Sequence, residues 1–286
     1  MLDERHLARR LTDAEREQFE EEGYIVVESA IPPDIVAGVE EAVDYIWRNP
    51  PLDDRDSRAI HPKADATRNF FFPNFLWRDR RFLELLDWHT TFPKVWDILG
   101  WNIYSYHSHF IVTPPDVDEG KKPQTLGWHQ DSGRANSELE GEPRARLSLK
   151  VAFWLSDISE PDKGGLWIVP GSHKKNRIER PSDGVSQPEG AVPVLAKAGD
   201  AVVFDRRLFH ARGQNFSEET RKVLFYGYGY RWIRPKDDMS IPLGLMERVD
   251  PITRQLLGGC TSGNGYYSPN DDDVPLKAWL EEHEVI

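Results

Sequence analysis

The sequence predicts a mainly β domain with α-helices packed on it. Three observations carry this. Up to about residue 100, apolar residues recur at helical spacing between capping and proline signals. After Gly100, short strand-like runs alternate with Gly, Pro and Asp turns. The 286 residues include 10 Trp and 13 Phe, apolar area enough for a sizeable core.

The elements follow in order. Thr12 and Glu15 form an S/T-x-x-E capping box ahead of A-E-R-E-Q-F-E-E-E, and Gly23 sits where a helix C-terminus favours glycine. Tyr24 to Val27 (Y-I-V-V) reads as a short buried strand. Pro32 and Pro33 open a second helix, with Ile35, Val36, Val39, Ala42, Val43 and Ile46 at helical spacing. That helix stops before Pro50. Residues 51 to 65 are charged and turn-rich, a loop. Residues 80 to 99 predict two short helices meeting near Pro93. Strands are expected at Ile103 to Thr113, Leu147 to Leu155, Leu166 to Val169, Val192 to Leu195, Ala201 to Phe204 and Val223 to Trp232. Such short strands divided by turns suggest a sandwich or barrel. A Gly-rich, acidic loop around 258 to 273 precedes a last helix, Leu276 to His283. No internal repeat and no low-complexity segment is present.

Composition narrows the function classes. The formal net charge of -12 argues against nucleic acid or an anionic membrane surface as partner, since both select basic patches. The single cysteine, Cys260, rules out an intrachain disulfide and a cysteine-based metal set. The N-terminus lacks the apolar core of a signal peptide, and no run approaches the roughly 20 apolar residues that span a bilayer. The expectation is a soluble, cytoplasmic protein that does not engage a membrane.

Nine histidines are present, and two patterns single some of them out. In G-W-H-Q-D-S-G, residues 127 to 133, His129 and Asp131 are two apart. On an extended chain, residues i and i+2 face the same way, so both can reach one ion. H-x-D alone is weak and needs a third ligand from elsewhere. His210, after the turn and apolar run A-G-D-A-V-V-F-D-R-R-L-F, is the best candidate, and would complete a 2-His-1-carboxylate set with open positions for substrate and oxygen. The alternative for His210 is a capped strand end near solvent. Eleven residues on, Arg221 opens R-K-V-L-F-Y-G-Y-G-Y. A buried guanidinium takes a carboxylate bidentately; a surface salt bridge to the preceding E-E-T is the alternative.

Together, H-Q-D at 129–131, G-G-L-W-I-V-P-G-S-H at 164–173, H-x-x-x-x-N-x-S at 210–217 and the arginine eleven residues after His210 resemble the phytanoyl-CoA dioxygenase family. The opening L-T-D-A-E-R-E-Q-F-E-E-E-G-Y-I-V-V is similar as well. The resemblance spans roughly residues 11 to 232. It implies a double-stranded β-helix core of jelly-roll, cupin-like type, with the N-terminal helices packed on one sheet. One domain, 1–286, is expected: a helical N-terminal region 1–100, the core at about 101–235 and an extension 236–286.

The resemblance also implies chemistry: an Fe(II)- and 2-oxoglutarate-dependent dioxygenase that uses O2 and releases succinate and carbon dioxide. His129, Asp131 and His210 would be the catalytic iron ligands, and Arg221 would bind the distal carboxylate of 2-oxoglutarate. Family halogenases carry a small residue in place of the aspartate, so Asp131 disfavours halogenation. A lysine that assists the cosubstrate in some members is replaced here; its approximate position is Thr113, whose hydroxyl can hydrogen-bond the cosubstrate.

By period-2 alternation Ser105, His107, His109, Ile111 and Thr113 share a face. His107 is therefore a candidate for the cosubstrate and His109 for the prime substrate, with packed histidines bonded to backbone as the alternative. On the next long strand Lys150, Ala152 and Trp154 share one face and Leu149, Val151, Phe153 and Leu155 the other; the pattern does not say which points inward. Trp154, Arg212, Asn69 and Phe71 are further substrate-wall candidates, the last two from an aromatic run that suits core packing better. Gln130 should point away from His129, and His173 reads as a turn residue. The small-molecule substrate expected is a secondary metabolite undergoing hydroxylation. Alternatives are an acyl-CoA substrate, a desaturation, cyclisation or epimerisation outcome, or a non-catalytic β-barrel that binds a metal or small molecule.

Overall fold

The structure is a computed structural model that describes residues 2–51, 69–116, 126–183, 185–237, 241–242 and 244–286. Except for Pro51, the expected loop at 51 to 65 lies outside these residues.

Among the described residues the helices are α1 (Glu4–Leu7), α2 (Asp13–Glu22), α3 (Pro33–Arg48), α4 (Arg80–Glu84), α5 (Phe92–Leu99), α6 (Gly133–Glu138), α7 (Leu245–Arg248), α8 (Pro251–Leu256) and α9 (Pro275–Glu282). The strands are β1 (Tyr24–Val27), β2 (Phe70–Pro73), β3 (Ile103–Thr113), β4 (Ser148–Trp154), β5 (Leu166–Ile168), β6 (Val192–Val194), β7 (Ala201–Asp205), β8 (His210–Arg212) and β9 (Arg221–Tyr230). The Thr12 capping box forms as its sequence dictates, and Gly23 takes the left-handed conformation, φ +87°, that ends α2.

A six-stranded sheet runs β1-β7-β4-β9-β3-β2, and a three-stranded sheet runs β6-β5-β8. Every strand pair is antiparallel. The large sheet is buried on both faces. Leu149, Val151 and Phe153 of β4, with Leu224, Tyr226 and Tyr228 of β9, pack outward against Val39 and Val43 of α3, Phe82 of α4 and Phe92 and Val95 of α5. The Tyr226 and Tyr228 hydroxyls donate to the carbonyls of Phe82 and Leu86 at 2.9 and 2.6 Å. Each fully buried Val, Leu or Phe contributes roughly 1.5–3 kcal/mol, so this layer fixes the helices to the sheet. The inner face carries Ala152, Trp154, Val202, Phe204, Val223 and Phe225, which meet Leu166, Ile168 and Val194 of the small sheet. The cavity described below lies on this inner side.

Besides the short helices α1, α6, α7 and α8, which the sequence reading did not give, three differences bear on the site. Phe70–Pro73 is an edge strand, paired with β3 through Phe70↔Val112 and Pro73↔His109; proline is tolerated at such an edge. A bulge at Tyr106 shifts the β3 register between Ser105↔Tyr228 and His107↔Gly227. The extra residue takes Ser105 off the face of His107, His109, Ile111 and Thr113. The third difference concerns His210: it does not end the Ala201 strand but opens β8 in the other sheet.

Candidate metal centre

The turn after β7 makes that switch. Asp205 accepts the Arg207 backbone N–H at 2.8 Å through Oδ1, and the Leu208 N–H through its carbonyl at 3.0 Å. The Arg207 guanidinium closes on the same carboxylate at 2.9 and 2.7 Å. The chain reverses and re-enters as β8, with His210 opposite Ile168. His129 then joins β8 by a single antiparallel bridge, its N–H and carbonyl exchanging 3.0 Å hydrogen bonds with those of His210. Asp131 N–H adds a 2.9 Å bond to the Arg206 carbonyl. Backbone pairing thus fixes His129 and Asp131 beside His210, which is about 80 positions further along the chain.

One ligand atom from each of His129, Asp131 and His210 lies within 4.8 Å of the others. The imidazole centroids of the two histidines are 4.4 Å apart. Nδ1–H of His129 donates to the Gly127 carbonyl at 2.7 Å, and Nδ1–H of His210 to the Leu208 carbonyl at 2.8 Å. Those bonds place the hydrogen on Nδ1 and leave Nε2 of each ring as a lone pair, the arrangement that metal-ligating histidines need. Burial, partly offset by Asp131, pushes the His210 pKa down to about 4, so its ring stays neutral at neutral pH.

Lys150 completes the cluster. Its ammonium lies 2.9 Å from Oδ1 and 2.8 Å from Oδ2 of Asp131, and only the Oδ1 contact has hydrogen-bond geometry. Burial alone would raise the Asp131 pKa; the Lys150 ammonium, joined in acid by a protonated His210, outweighs it and holds the carboxyl well below the usual range. The result is an ionised carboxylate with one oxygen tied to lysine and one buried oxygen without a hydrogen bond. Two imidazoles whose Nδ1–H groups are engaged by backbone carbonyls and one such carboxylate are a donor set that fits a divalent transition ion with open positions.

These residues border a cavity of about 210 Å³, lined also by Phe71, His107, His109, Arg212, Arg221 and Phe225. Arg221 is 3% exposed. Its guanidinium donates to the Thr113 hydroxyl at 3.4 Å and lies 5.0 Å from the centre of the Trp154 ring. Among the described residues it has no carboxylate partner, and the surface salt bridge with Glu218 or Glu219 does not form. Burial, then the charge of Arg212, pushes its pKa down to about 9. A buried cation held without an acid beside a polar cavity is a ready site for an anionic ligand.

The remaining candidates fall into two groups. Phe71, His107, His109 and Arg212 reach the cavity wall, while Thr113 and Trp154 stand behind Arg221 and Asn69 is exposed. Gln130 points away from His129, donating to the carbonyls of Lys175 and Arg207 at 2.9 and 2.6 Å. His173 packs in a turn against Glu20. The inward face of β4 is the one with Lys150, Ala152 and Trp154. Sequence reasoning passed over Lys150, although a lysine inside the apolar run S-L-K-V-A-F-W was a signal. Asp237, which holds His107, gave none, because it comes from a distant loop. A side chain on Gly127 or Gly133 would meet open space, so crowding at the metal does not explain these glycines.

The family model described as Phytanoyl-CoA dioxygenase (PhyH) matches residues 19–223. Dioxygenase af480 of Aspergillus fumigatus is 36% identical over 249 residues, covering 84% of this chain and 74% of that protein. An ectoine dioxygenase of Bordetella parapertussis is 25% identical over 239 residues, 74% of this chain and 73% of its own. HygX from Streptomyces hygroscopicus, solved with nickel and 2-oxoglutarate bound, matches with a TM-score of 0.59 at 17% identity, covering 79% of this chain and 90% of its own. EctD from S. alaskensis, solved as the apoform, matches at 0.55 and 22% identity, over 79% of each chain. These two likenesses show a shared, cupin-like fold.

Proposed function

Because the chain belongs to the phytanoyl-CoA dioxygenase family and is an Fe(II)/2-oxoglutarate-dependent dioxygenase, we propose that His129, Asp131 and His210 hold its iron and that Arg221 binds the distal carboxylate of 2-oxoglutarate. The observation that carries this is the donor cluster, two Nε2 lone pairs and a half-tied carboxylate beside an arginine that has no counter-ion among the described residues. On this reading the two sheets are the halves of a double-stranded β-helix, and 1–286 is one catalytic domain.

When bound, iron with 2-oxoglutarate and O2 supplies oxidising power: the cosubstrate becomes succinate and carbon dioxide, and one oxygen atom goes to the substrate. The protein's own role is positional. Backbone carbonyls of Gly127 and Leu208 fix the ring orientation of the two histidines. Lys150 keeps Asp131 ionised and takes up the hydrogen-bonding capacity of one of its oxygens. Thr113 and the Trp154 face hold the Arg221 guanidinium in place. Phe71, Phe225 and Leu166 give the cavity an apolar wall that limits water.

The substrate proposed is a small molecule, a secondary metabolite hydroxylated at an unactivated C–H. The modest cavity and the relatives named ectoine dioxygenase support a small substrate. An acyl-CoA would need a basic surface for its phosphates, which a chain of net charge -12 does not favour. The test is iron-dependent succinate release from 2-oxoglutarate, screened over small-molecule candidates. Turnover should vanish in His129→Ala and Asp131→Ala. Full activity in either would sink the ligand assignment.

A further inference from the structure

The large sheet sets its inward side chains in rows. His107, Gly227 and Lys150 share one row, then His109, Phe225 and Ala152, then Ile111, Val223 and Trp154, then Thr113 and Arg221. At about 3.3 Å per residue, the rows of His107 and Arg221 stand about 20 Å apart. Lys150, in the His107 row, grips Asp131. The metal cluster therefore belongs toward the His107 end, and the cosubstrate reaching from it to Arg221 extends away from His107.

His107 is built as an acceptor. Its Nδ1 lies 2.5 Å from Oδ1 of Asp237. The second oxygen of Asp237 accepts the Ser108 N–H at 2.6 Å and the Ser108 hydroxyl at 2.9 Å. With the carboxylate held this way, the imidazole hydrogen sits on Nδ1 and Nε2 is a lone pair. Burial lowers the His107 pKa against the raising effect of Asp237, which keeps the ring neutral. Nε2 is buried and has no hydrogen-bond partner among the described residues, yet His107 lines the cavity. Beside it, His109 stacks between Phe71 and Phe225 at 4.8 and 4.7 Å, an aromatic slab against which an apolar body can lie. Neither iron nor 2-oxoglutarate, as assigned above, uses this nitrogen.

We propose that the Asp237–His107 pair anchors the prime substrate: Nε2 of His107 accepts a hydrogen bond from a substrate O–H or N–H. The substrate class is then an alcohol, phenol or amine whose oxidised carbon lies near that donor. This rests on the assignment of the cavity as the dioxygenase site. His107 becomes a substrate-positioning residue in place of a cosubstrate contact.

Histidine-selective ¹⁵N NMR of the protein tests it, first alone and then loaded with Zn(II) and 2-oxoglutarate, with phenol and its methyl ether anisole as probes. Zinc stoichiometry and 2-oxoglutarate binding report separately on the underlying site, so their failure counts against the function proposed above and not against the dyad. The expected result is a protonated Nδ1 and an unprotonated Nε2 on His107, shifted by phenol, which binds about tenfold more tightly than anisole, the worth of one hydrogen bond. In Asp237→Asn the Ser108 N–H can only donate, so it takes the amide oxygen. The amide NH2 must then face Nδ1, which moves the hydrogen to Nε2 and abolishes the preference for phenol. A protonated Nε2 in the wild type, equal responses to phenol and anisole, or an unprotonated Nε2 in folded Asp237→Asn would each overturn the proposal. The wild-type comparison decides alone if the variant does not fold.

Discussion

Replacing Arg221 by methionine should move two quantities in opposite directions. In the ligand-free protein the guanidinium is 3% exposed and has the Thr113 hydroxyl and the Trp154 ring for company, but no carboxylate among the described residues. Burial pushes its pKa from the ordinary guanidinium value down to about 9. A base whose folded pKa lies below its unfolded value costs stability at every pH below the folded value, so at neutral pH the cost is present in full. At about 1.4 kcal/mol per tenfold, the drop sets an upper bound of roughly 5 kcal/mol. Relaxation around a buried charge cuts such figures, and replacing buried ionic groups by apolar ones of similar size is neutral or stabilising by about 1–4 kcal/mol. Ligand-free Arg221→Met should therefore melt no lower than wild type, and up to several degrees higher. Binding of 2-oxoglutarate should weaken, because losing one partner of a buried charge pair costs about 2–5 kcal/mol, or roughly 30- to 4,000-fold in Kd. Thermal melts without ligand and calorimetric titration of the Zn(II)-loaded protein read both. A clear fall in melting temperature, or a Kd within about threefold of wild type, would refute the reasoning.

Other outcomes follow from the same geometry. Asp131→Ala leaves the buried Lys150 ammonium unpaired and should destabilise the ligand-free protein by about 3–5 kcal/mol; adding Lys150→Met should recover most of that in urea unfolding without restoring metal binding. Gly227→Ala puts a Cβ 2.9 Å from the Tyr106 ring and 3.0 Å from the His107 carbonyl, so a loss of about 1–3 kcal/mol is expected, while Gly133→Ala, in open space, should stay neutral or gain. At Asp205, burial raises the carboxyl pKa but Arg207 and Arg146 lower it further, for a net depression. Its contribution is then present above the ordinary value of 3.8 and lost as pH falls through the folded value. Asp205→Asn should cost about 3–5 kcal/mol at pH 7, and unfolding curves of variant and wild type should converge in strong acid.

The features of this protein that local chemistry specifies were legible before the fold was known. The Thr12 capping box, the Pro33 start of α3 and the Ile103–Thr113 strand follow from residues within a few positions of one another. The structure also draws together the H-x-D motif and His210, with Arg221 on the wall of the same cavity. What escaped is set by contacts across the chain. His129 does not lie on a regular strand; one bridge to His210, 81 positions on, holds it. The inward face of β4 was ambiguous because helices cover the outer face of the sheet, so both sides are apolar and alternation is lost. The Tyr106 bulge is legible only with its partner: Gly227 and Gly229 of β9 leave the room its ring fills. Asp237 reaches His107 across 130 positions, a distance over which spacing carries no signal.

The central claim is that His129, Asp131 and His210 hold one iron on which 2-oxoglutarate binds with help from Arg221. Anaerobic titration of the metal-free protein with Fe(II), with and without 2-oxoglutarate, tests it most directly through the visible charge-transfer absorption of an iron–keto-acid chelate. The account predicts saturation at one Fe(II) per chain, a band that requires 2-oxoglutarate, and its loss in Asp131→Ala and in His210→Ala. A band of wild-type intensity and affinity in either variant would contradict the account.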